Sequence, residues 1–225
     1  MTVMGKLIVF EGTDGSGKST QFALLTKRLQ ARSVDFRTIV FPQYTEPSSA
    51  LIRMYLGGEF GMQPSDVNAY TASTFYAVDR YASYMKVWKE YYQNGGLVLS
   101  DRYTTSNAVH QASKEPDGKR EAFFRWLYDL EYTHMELPVP DLVLYLDVPT
   151  ELTHQLLRKR EHDTHTSADI HEQHMDYLRQ CRKTGMEAAE FYGWTIINCA
   201  RDGKLRSIED IHEEIFKLVL QCLEE

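Results

Sequence analysis

Near its start the chain passes from four consecutive apolar residues, Leu7 to Phe10, into Gly12-Thr13-Asp14-Gly15-Ser16-Gly17-Lys18-Ser19, and from there into a stretch with helical pattern. These eight residues satisfy G-x-x-x-x-G-K-[ST] at every fixed position. The glycines let the backbone curl until successive N–H groups converge on one anion, which requires a strand to deliver the loop and a helix N-terminus to receive it. An ordinary Gly-rich turn with a surface lysine needs neither flank, and both flanks are here. The loop predicts a nucleotide site in which Gly12, Thr13, Asp14, Gly15, Ser16 and Gly17 form the cradle. Lys18 is expected to reach the outer phosphates, Ser19 to hold Mg²⁺, and Thr20 to support the nucleotide from the first helical turn.

Short apolar runs recur along the chain between long helical patterns, at Leu7–Glu11, Arg37–Phe41, Leu97–Ser100, Leu142–Asp147 and Thr195–Asn198. The intervening patterns predict helices over Lys18–Arg32, Ser49–Leu56, Ser65–Gln93, Thr105–Ala112, Lys119–Leu130, Thr150–Arg160, Glu172–Phe191 and Ser207–Leu223. This alternation specifies an α/β fold, a three-layer P-loop NTPase architecture with a five-stranded parallel sheet flanked by helices. A chain of 225 residues with 43% hydrophobic content suits a single domain over residues 1–225, with a short polar lid at about 158–172.

The formal net charge of −7 and pI of 5.6 exclude an electrostatic footprint for a nucleic-acid polymer, so the nucleotide partner is expected to be a small molecule. No apolar stretch is long enough for a bilayer, and Met1–Lys6 lacks the apolar segment of a secretory signal. Cys181, Cys199 and Cys222 are odd in number and have neither metal nor redox spacing, which suits buried thiols in a reducing cytoplasm.

In open α/β sheets, ligands gather at the carboxyl ends of the strands. Asp101-Arg102-Tyr103 follows the third strand directly. An arginine emerging there can clamp a phosphate with its planar fork, and Asp101 can join the Mg²⁺ shell or orient Arg102. The competing reading is a local ion pair that caps the sheet.

Several further pieces occur in a fixed order: Phe41-Pro42 after the second strand, Phe75-Tyr76-Ala77-Val78-Asp79-Arg80 within a long helix, Ser106-Asn107 with Gln111, Pro140 to Asp147, and Arg158-Lys159-Arg160 before the lid. With the loop and Asp101-Arg102-Tyr103, they make the chain resemble the thymidylate kinase family over nearly its whole length. That resemblance implies transfer of phosphate from ATP to dTMP. It gives Asp14 the deoxyribose 3′-hydroxyl or the Mg²⁺ shell, and Tyr76 the face of thymine. Arg80, Asn107 and Gln111 would hydrogen-bond the base, and Arg53 and Arg102 would hold the monophosphate. Phe41, Ser106 and His110 complete the substrate side. Gly15 stands where one branch of the family has a loop arginine, so the resemblance assigns the transferring phosphoryl group to Arg158 and Arg160 of the lid. It also implies a homodimer packed through long helices, with Phe75, Tyr81 and Trp88 as contributors. Read as residues alone, Tyr76 and those three aromatics suit a core equally well, Arg80 suits an ion pair with Asp79 or another carboxylate, and Arg158 and Arg160 suit the favourable end of a helix dipole.

Gln43 and Tyr44 follow Pro42 where members of the family often place an arginine nearby, Ile170 replaces a lid cation, and His110 occupies the place of a tyrosine. These departures leave the choice among dTMP, dUMP and a nucleoside open. Glu46-Pro47 after the second strand keeps a deoxynucleoside kinase in view, since attack by a 5′-hydroxyl needs a carboxylate base. A nucleotide-binding regulatory protein without turnover is the third reading. His162, His165, His171 and His174 lack the spacing and the cysteine partner of a zinc site, and a solvated helix start capped by Asp169 accounts for them better.

Overall fold

The computed structural model describes residues 4–153, 156 and 175–224. Five strands, β1 (Lys6–Glu11), β2 (Arg37–Val40), β3 (Leu97–Asp101), β4 (Leu142–Asp147) and β5 (Thr195–Asn198), form one sheet in the order β2-β3-β1-β4-β5. Every pairing is parallel. Strand β1, which feeds the Gly-rich loop, therefore lies at the centre.

Alternation along β1 divides the interior into two layers, because successive side chains of a strand point to opposite faces. Ile8 and Phe10 join Leu25 and Leu29 of helix α1 (Lys18–Ala31) and Ile215, Phe216 and Val219 of the last helix, Ile208–Glu224. Leu7 and Val9 turn the other way, onto Tyr84, Trp88 and Tyr92, with Val98 and Tyr103. Helices thus cover both faces of the sheet.

The second layer is built largely by one long helical stretch. After helix α2 (Ala50–Leu56) comes α3 (Ala69–Ser83), whose winding widens over Tyr84–Trp88 before a last turn at Lys89–Gln93. The sequence predicts this helix from Ser65. It begins at Ala69 because the Asn68 side chain accepts the Thr71 N–H at 2.9 Å, capping the first turn, while Pro64–Asp66 forms a separate short turn. Trp88, expected on a dimer face, is fully buried against Tyr84, Tyr92 and Tyr103, so it belongs to the core. Phe75 packs on Tyr55 and Phe60. Tyr81 alone of the three is exposed.

Helix α4 (Arg120–Tyr128) runs into a widened turn, Asp129–His134, before β4. Helix α5 (Met175–Tyr192) precedes β5, and helix α6 (Ile208–Glu224) closes the described chain. Gly185 of α5 passes so close to β4 that a Cβ there would stand 2.1 Å from the Tyr145 hydroxyl. A two-stranded hairpin of β6 (Ala200–Arg201) and β7 (Lys204–Leu205) was not expected from the sequence. Among the described residues, no helix is long and apolar enough to cross a membrane. The expected lid, with Arg158, Arg160, Ile170 and the four lid histidines, lies outside the described residues.

Candidate active site

The loop after β1 is folded around its own lysine. Lys18 Nζ donates to the carbonyls of Gly12 at 2.7 Å and Thr13 at 3.0 Å, and the side chain is buried. Burial, and then the nearby Arg102 cation, lower its pKa to about 8, against smaller opposing effects from Asp14, Glu11 and Asp101. Gly12 has φ 149°, and a Cβ there would lie 2.7 Å from the Leu146 carbonyl and 2.8 Å from Ser16 Oγ. Only glycine admits so close an approach of backbone. At the start of α1, Gly17 holds the cap position with φ 84° and no side chain caps the helix. The N–H groups of the first turn are thus left for an external anion. Ser16 Oγ is buried with no hydrogen-bond partner among the described residues. Ser19 and Thr20 are exposed on the first turn.

Beside the loop, β3 ends in Asp101, and Arg102 follows it directly. Arg102 has φ 66°, a left-handed conformation that costs a side-chain-bearing residue on the order of 1 kcal/mol or more. Two bonds hold it there. Its N–H donates to the Phe10 carbonyl at 3.0 Å, and its own carbonyl accepts from Ser100 Oγ at 2.5 Å. The guanidinium is thereby turned into the cleft, where Nη2 pairs with Asp14 and Nη1 meets Ser106 Oγ at 3.2 Å and His110 Nε2 at 3.1 Å. Burial works against its charge, but Asp14, Glu11 and Asp101 outweigh burial and raise its pKa. Because a guanidinium cannot accept, His110 Nε2 is the acceptor, which places the imidazole proton on Nδ1, 3.6 Å from Cys181 Sγ.

Glu11 anchors this corner from behind. Fully buried, it accepts from the Gly12 N–H at 2.9 Å, Thr105 Oγ1 at 2.6 Å and Ser106 Oγ at 2.7 Å, and lies 3.6 Å from Arg102 Nη1. It ties the phosphate loop to the segment after β3. Asp101 also faces inward: burial raises its pKa, and its Oδ1 has no hydrogen-bond partner among the described residues.

The cleft beyond Arg102 brings together Asp14, Phe41, Tyr76, Arg80, Ser106, Asn107, His110 and Gln111, that is, all the expected acceptor-side residues except Arg53. Pro42, Tyr44, Leu56 and Tyr103 also line it. Tyr76 is half-buried, and its phenol is pushed well above the usual range, chiefly by burial, so it is a neutral aromatic surface. Gln111 is buried, and its Oε1 has no partner among the described residues. Arg53 does not line the cleft. Its Nη1 donates to the carbonyls of Tyr44 at 2.7 Å and Glu46 at 3.1 Å and to Ser49 Oγ at 2.6 Å. It thereby braces the loop after β2.

Arg80 pairs with a carboxylate, but not with Asp79. Its Nε and Nη2 bind Glu131 at 2.6 and 2.5 Å, and the raised pKa that results against burial keeps it cationic. Asp79 instead takes the Gln43 N–H at 2.8 Å and Ser48 Oγ at 2.6 Å, holding the chain beyond Phe41–Pro42, whose peptide bond is cis. Glu46 points elsewhere: its half-exposed carboxylate is 3.8 Å from Lys86, and it does not line the cleft. At the end of β4, Asp147 is committed to Arg182 by two bonds of 2.7 and 2.9 Å. All three cysteines are buried, and burial raises the Cys181 and Cys199 thiols to about 12.

Sequence reasoning did not single out Glu11 or Glu131. Glu11 carried a signal, an acidic residue ending an otherwise apolar strand. Glu131 carried none, since in Asp-Leu-Glu at the end of a helix it reads as solvated.

The profile of the family described as thymidylate kinase matches residues 10–215 of the chain. A probable thymidylate kinase of Thermococcus gammatolerans is 29% identical over 220 residues, covering 97% of each chain. The thymidylate kinase of Mycobacterium tuberculosis is 31% identical over 192 residues, 84% of this chain and 87% of that one. Among solved structures, the thymidylate kinase of Candida albicans superimposes with a TM-score of 0.72 at 19% identity, over 98% of this chain and 93% of its own, which shows the shared fold.

Proposed function

The chain belongs to the thymidylate kinase family, and from that premise we propose how its cleft carries out the phosphorylation of dTMP by ATP, giving ADP and dTDP. The observation that carries the proposal is the position of Arg102. It stands where the lysine-bearing loop meets a cleft with an aromatic wall and a fan of amide and guanidinium groups.

ATP is the donor, its phosphates held by the loop N–H groups, with Lys18 exchanging its two carbonyl partners for phosphate oxygens. Ser16, Ser19 and Thr20 supply hydroxyls to the same end of the nucleotide. On the acceptor side, Tyr76 offers its ring to the base, while Arg80, Asn107 and Gln111 satisfy the polar edge. Asp14 receives the 3′-hydroxyl, and Arg102, steadied by Ser106 and His110, holds the monophosphate. Phe41 closes the apolar side, and Arg53 keeps the Tyr44–Glu46 backbone in place behind the acceptor. Mg²⁺ fits the donor set. An exposed Ser19 hydroxyl and a buried Asp101 oxygen with no hydrogen-bond partner among the described residues suit a cation that keeps most of its water and binds chiefly through phosphate. When bound, it would draw charge from the β- and γ-phosphates.

A monophosphate has a second pKa of about 6 and is therefore largely dianionic at neutral pH, so its oxygen needs no general base. That oxygen forms the new bond to the γ-phosphorus as the bond to the β–γ bridging oxygen breaks and ADP departs. The obstacle is repulsion between anions, which the positive charges of Lys18 and Arg102 offset. Arg158 and Arg160 are the lid cations of this reading, where closure excludes water. The whole chain, residues 1–225, acts as one kinase domain in the cytoplasm.

We extend the proposal to a homodimer. Val78, Tyr81 and Met85 are exposed on one face of the long helix at helical spacing, an apolar stripe suited to a second copy.

Release of ADP, followed with dTMP, dUMP, thymidine and no acceptor, tests the reading. Turnover that depends on dTMP supports it. Turnover with thymidine alone would make the chain a nucleoside kinase, and ATP binding without turnover would make it a regulatory protein. The outward placement of Glu46, the carboxylate that a nucleoside kinase would need, favours the monophosphate.

A further inference from the structure

Glu131 touches no part of the cleft surface, yet it organises two residues that do. Its carboxylate is fully buried in the widened turn after α4. Oε2 accepts from Arg80 Nε at 2.6 Å and Thr104 Oγ1 at 2.8 Å; Oε1 accepts from Arg80 Nη2 at 2.5 Å and Asn107 Nδ2 at 3.3 Å. A carboxylate so far from water is costly unless its lone pairs are met, and here four donors on three residues meet them.

The guanidinium is planar, so fixing Nε and Nη2 fixes the direction of Nη1. Among the described residues Nη1 has a single long approach, 3.4 Å to the Tyr103 carbonyl, and Arg80 lines the cleft. The same carboxylate settles which way the Asn107 amide faces. Its Nδ2 lies between two acceptors, Glu131 Oε1 and the Ser73 carbonyl at 3.2 Å, and the amide oxygen is turned away from both. One buried charge thus dictates the orientation of two polar groups on the cleft wall.

We propose that Glu131 is a positioning residue for base selection, acting through Arg80 and Asn107. With the arginine fork fixed, the wall offers a donor that cannot rotate away, which suits a pyrimidine bearing a carbonyl oxygen at position 4 and opposes one bearing an amine there. This rests on the cleft being the thymidylate site. Without the carboxylate, Arg80 keeps its charge but loses its direction, and both kinds of base meet a mobile donor.

The experiment is a double-mutant cycle of Glu131→Gln and Arg80→Lys, with dTMP and dCMP as acceptors. Glu131→Gln is expected to raise the KM for dTMP about tenfold, the scale of one lost charge-assisted bond. The preference for dTMP over dCMP should shrink, while the KM for ATP stays put and kcat changes less than about twofold. Because Glu131 acts through Arg80, the double variant should select little worse than Arg80→Lys alone. An unchanged dTMP to dCMP preference in a variant that has merely lost melting temperature would overturn the inference, as would additive effects in the cycle. If Glu131→Gln does not fold, Thr104→Val takes its place in the cycle. A smaller loss of preference supports the inference, and an unchanged one overturns it. A wild-type protein that phosphorylates no monophosphate would instead overturn the reading of the cleft.

Discussion

Lys18 donates to the Gly12 carbonyl at 2.7 Å, so the cation that should meet the nucleotide is held by the loop it belongs to. Burial, with Arg102 adding to it, brings its pKa down to about 8 from the ordinary 10.5. Phosphate oxygens favour the charged form and raise that pKa again. The bound state therefore carries more proton than the empty one above pH 8, and ATP affinity should fall as pH rises through that value. Titration calorimetry at pH 8.5 in buffers of different ionisation enthalpy should show proton uptake, and none in Lys18→Ala. In the empty protein the stability effect has its own sign: the unfolded lysine binds its proton more readily, so this group makes the fold more stable as pH rises from 8 toward 10.5. Turnover of Lys18→Ala should drop by about 10²–10³-fold. Near-normal turnover in the folded variant would contradict the assignment of the loop.

Arg102→Lys keeps a positive charge and loses the fork that reaches Asp14 on one side and Ser106 and His110 on the other. A fall of about 10–100-fold in kcat/KM for dTMP is expected, in line with the loss of charge-assisted bonds. Steady-state kinetics with dTMP varied at saturating ATP check this, and an unchanged KM and kcat would remove Arg102 from the acceptor site.

Tyr76→Phe should keep most activity, because the ring face remains. Tyr76→Ala should weaken dTMP binding by about 1–3 kcal/mol, the usual scale of base–aromatic stacking. Melting temperature and dTMP affinity measured on the same proteins separate stacking from packing. An alanine variant that is less stable but binds dTMP normally would make Tyr76 a packing residue.

Glu46→Gln should leave dTMP phosphorylation within about twofold of wild type, as substitutions at exposed positions usually have small effects. The carboxylate is half-exposed beside Lys86, away from the cleft lining. A large loss of turnover, above all with thymidine as acceptor, would bring Glu46 into the chemistry.

The cradle loop and the five strands were legible in the sequence because each is a local pattern: an apolar run, a Gly-rich turn, a helix start. The acceptor wall was legible only through family resemblance, since Tyr76, Arg102 and Gln111 belong to different segments of the chain. Arg80 shows the limit. Its partner Glu131 lies 51 residues away, and no periodicity connects a helix arginine with a glutamate in a widened turn beyond another helix. Arg53 shows a second limit, because nothing local in the sequence announces that its Nη1 bonds to the Tyr44 and Glu46 carbonyls. The hairpin of β6 and β7 was missed despite a readable cue: Asp202 and Gly203 both have positive φ, the signature of a two-residue turn that Asp-Gly favours.

The strand order β2-β3-β1-β4-β5 has a consequence for how the protein answers its ligand. Strand β1 is first in the chain but central in the sheet, and its neighbours β3 and β4 arrive some ninety to one hundred and forty residues later. Asp14 and Arg102 face each other only after that distance has been closed. The cleft lining runs from Asp14 to Gln111 and comes together only when β3 lies beside β1, so a nucleotide that binds there binds the paired strands and not the separate segments. By mass action, ligand at a hundred times its dissociation constant adds about 2.7 kcal/mol to the folded state. That stabilisation falls on the central pairings themselves, and amide exchange along β1, β3 and β4 should slow when nucleotide is added, far beyond the atoms it touches.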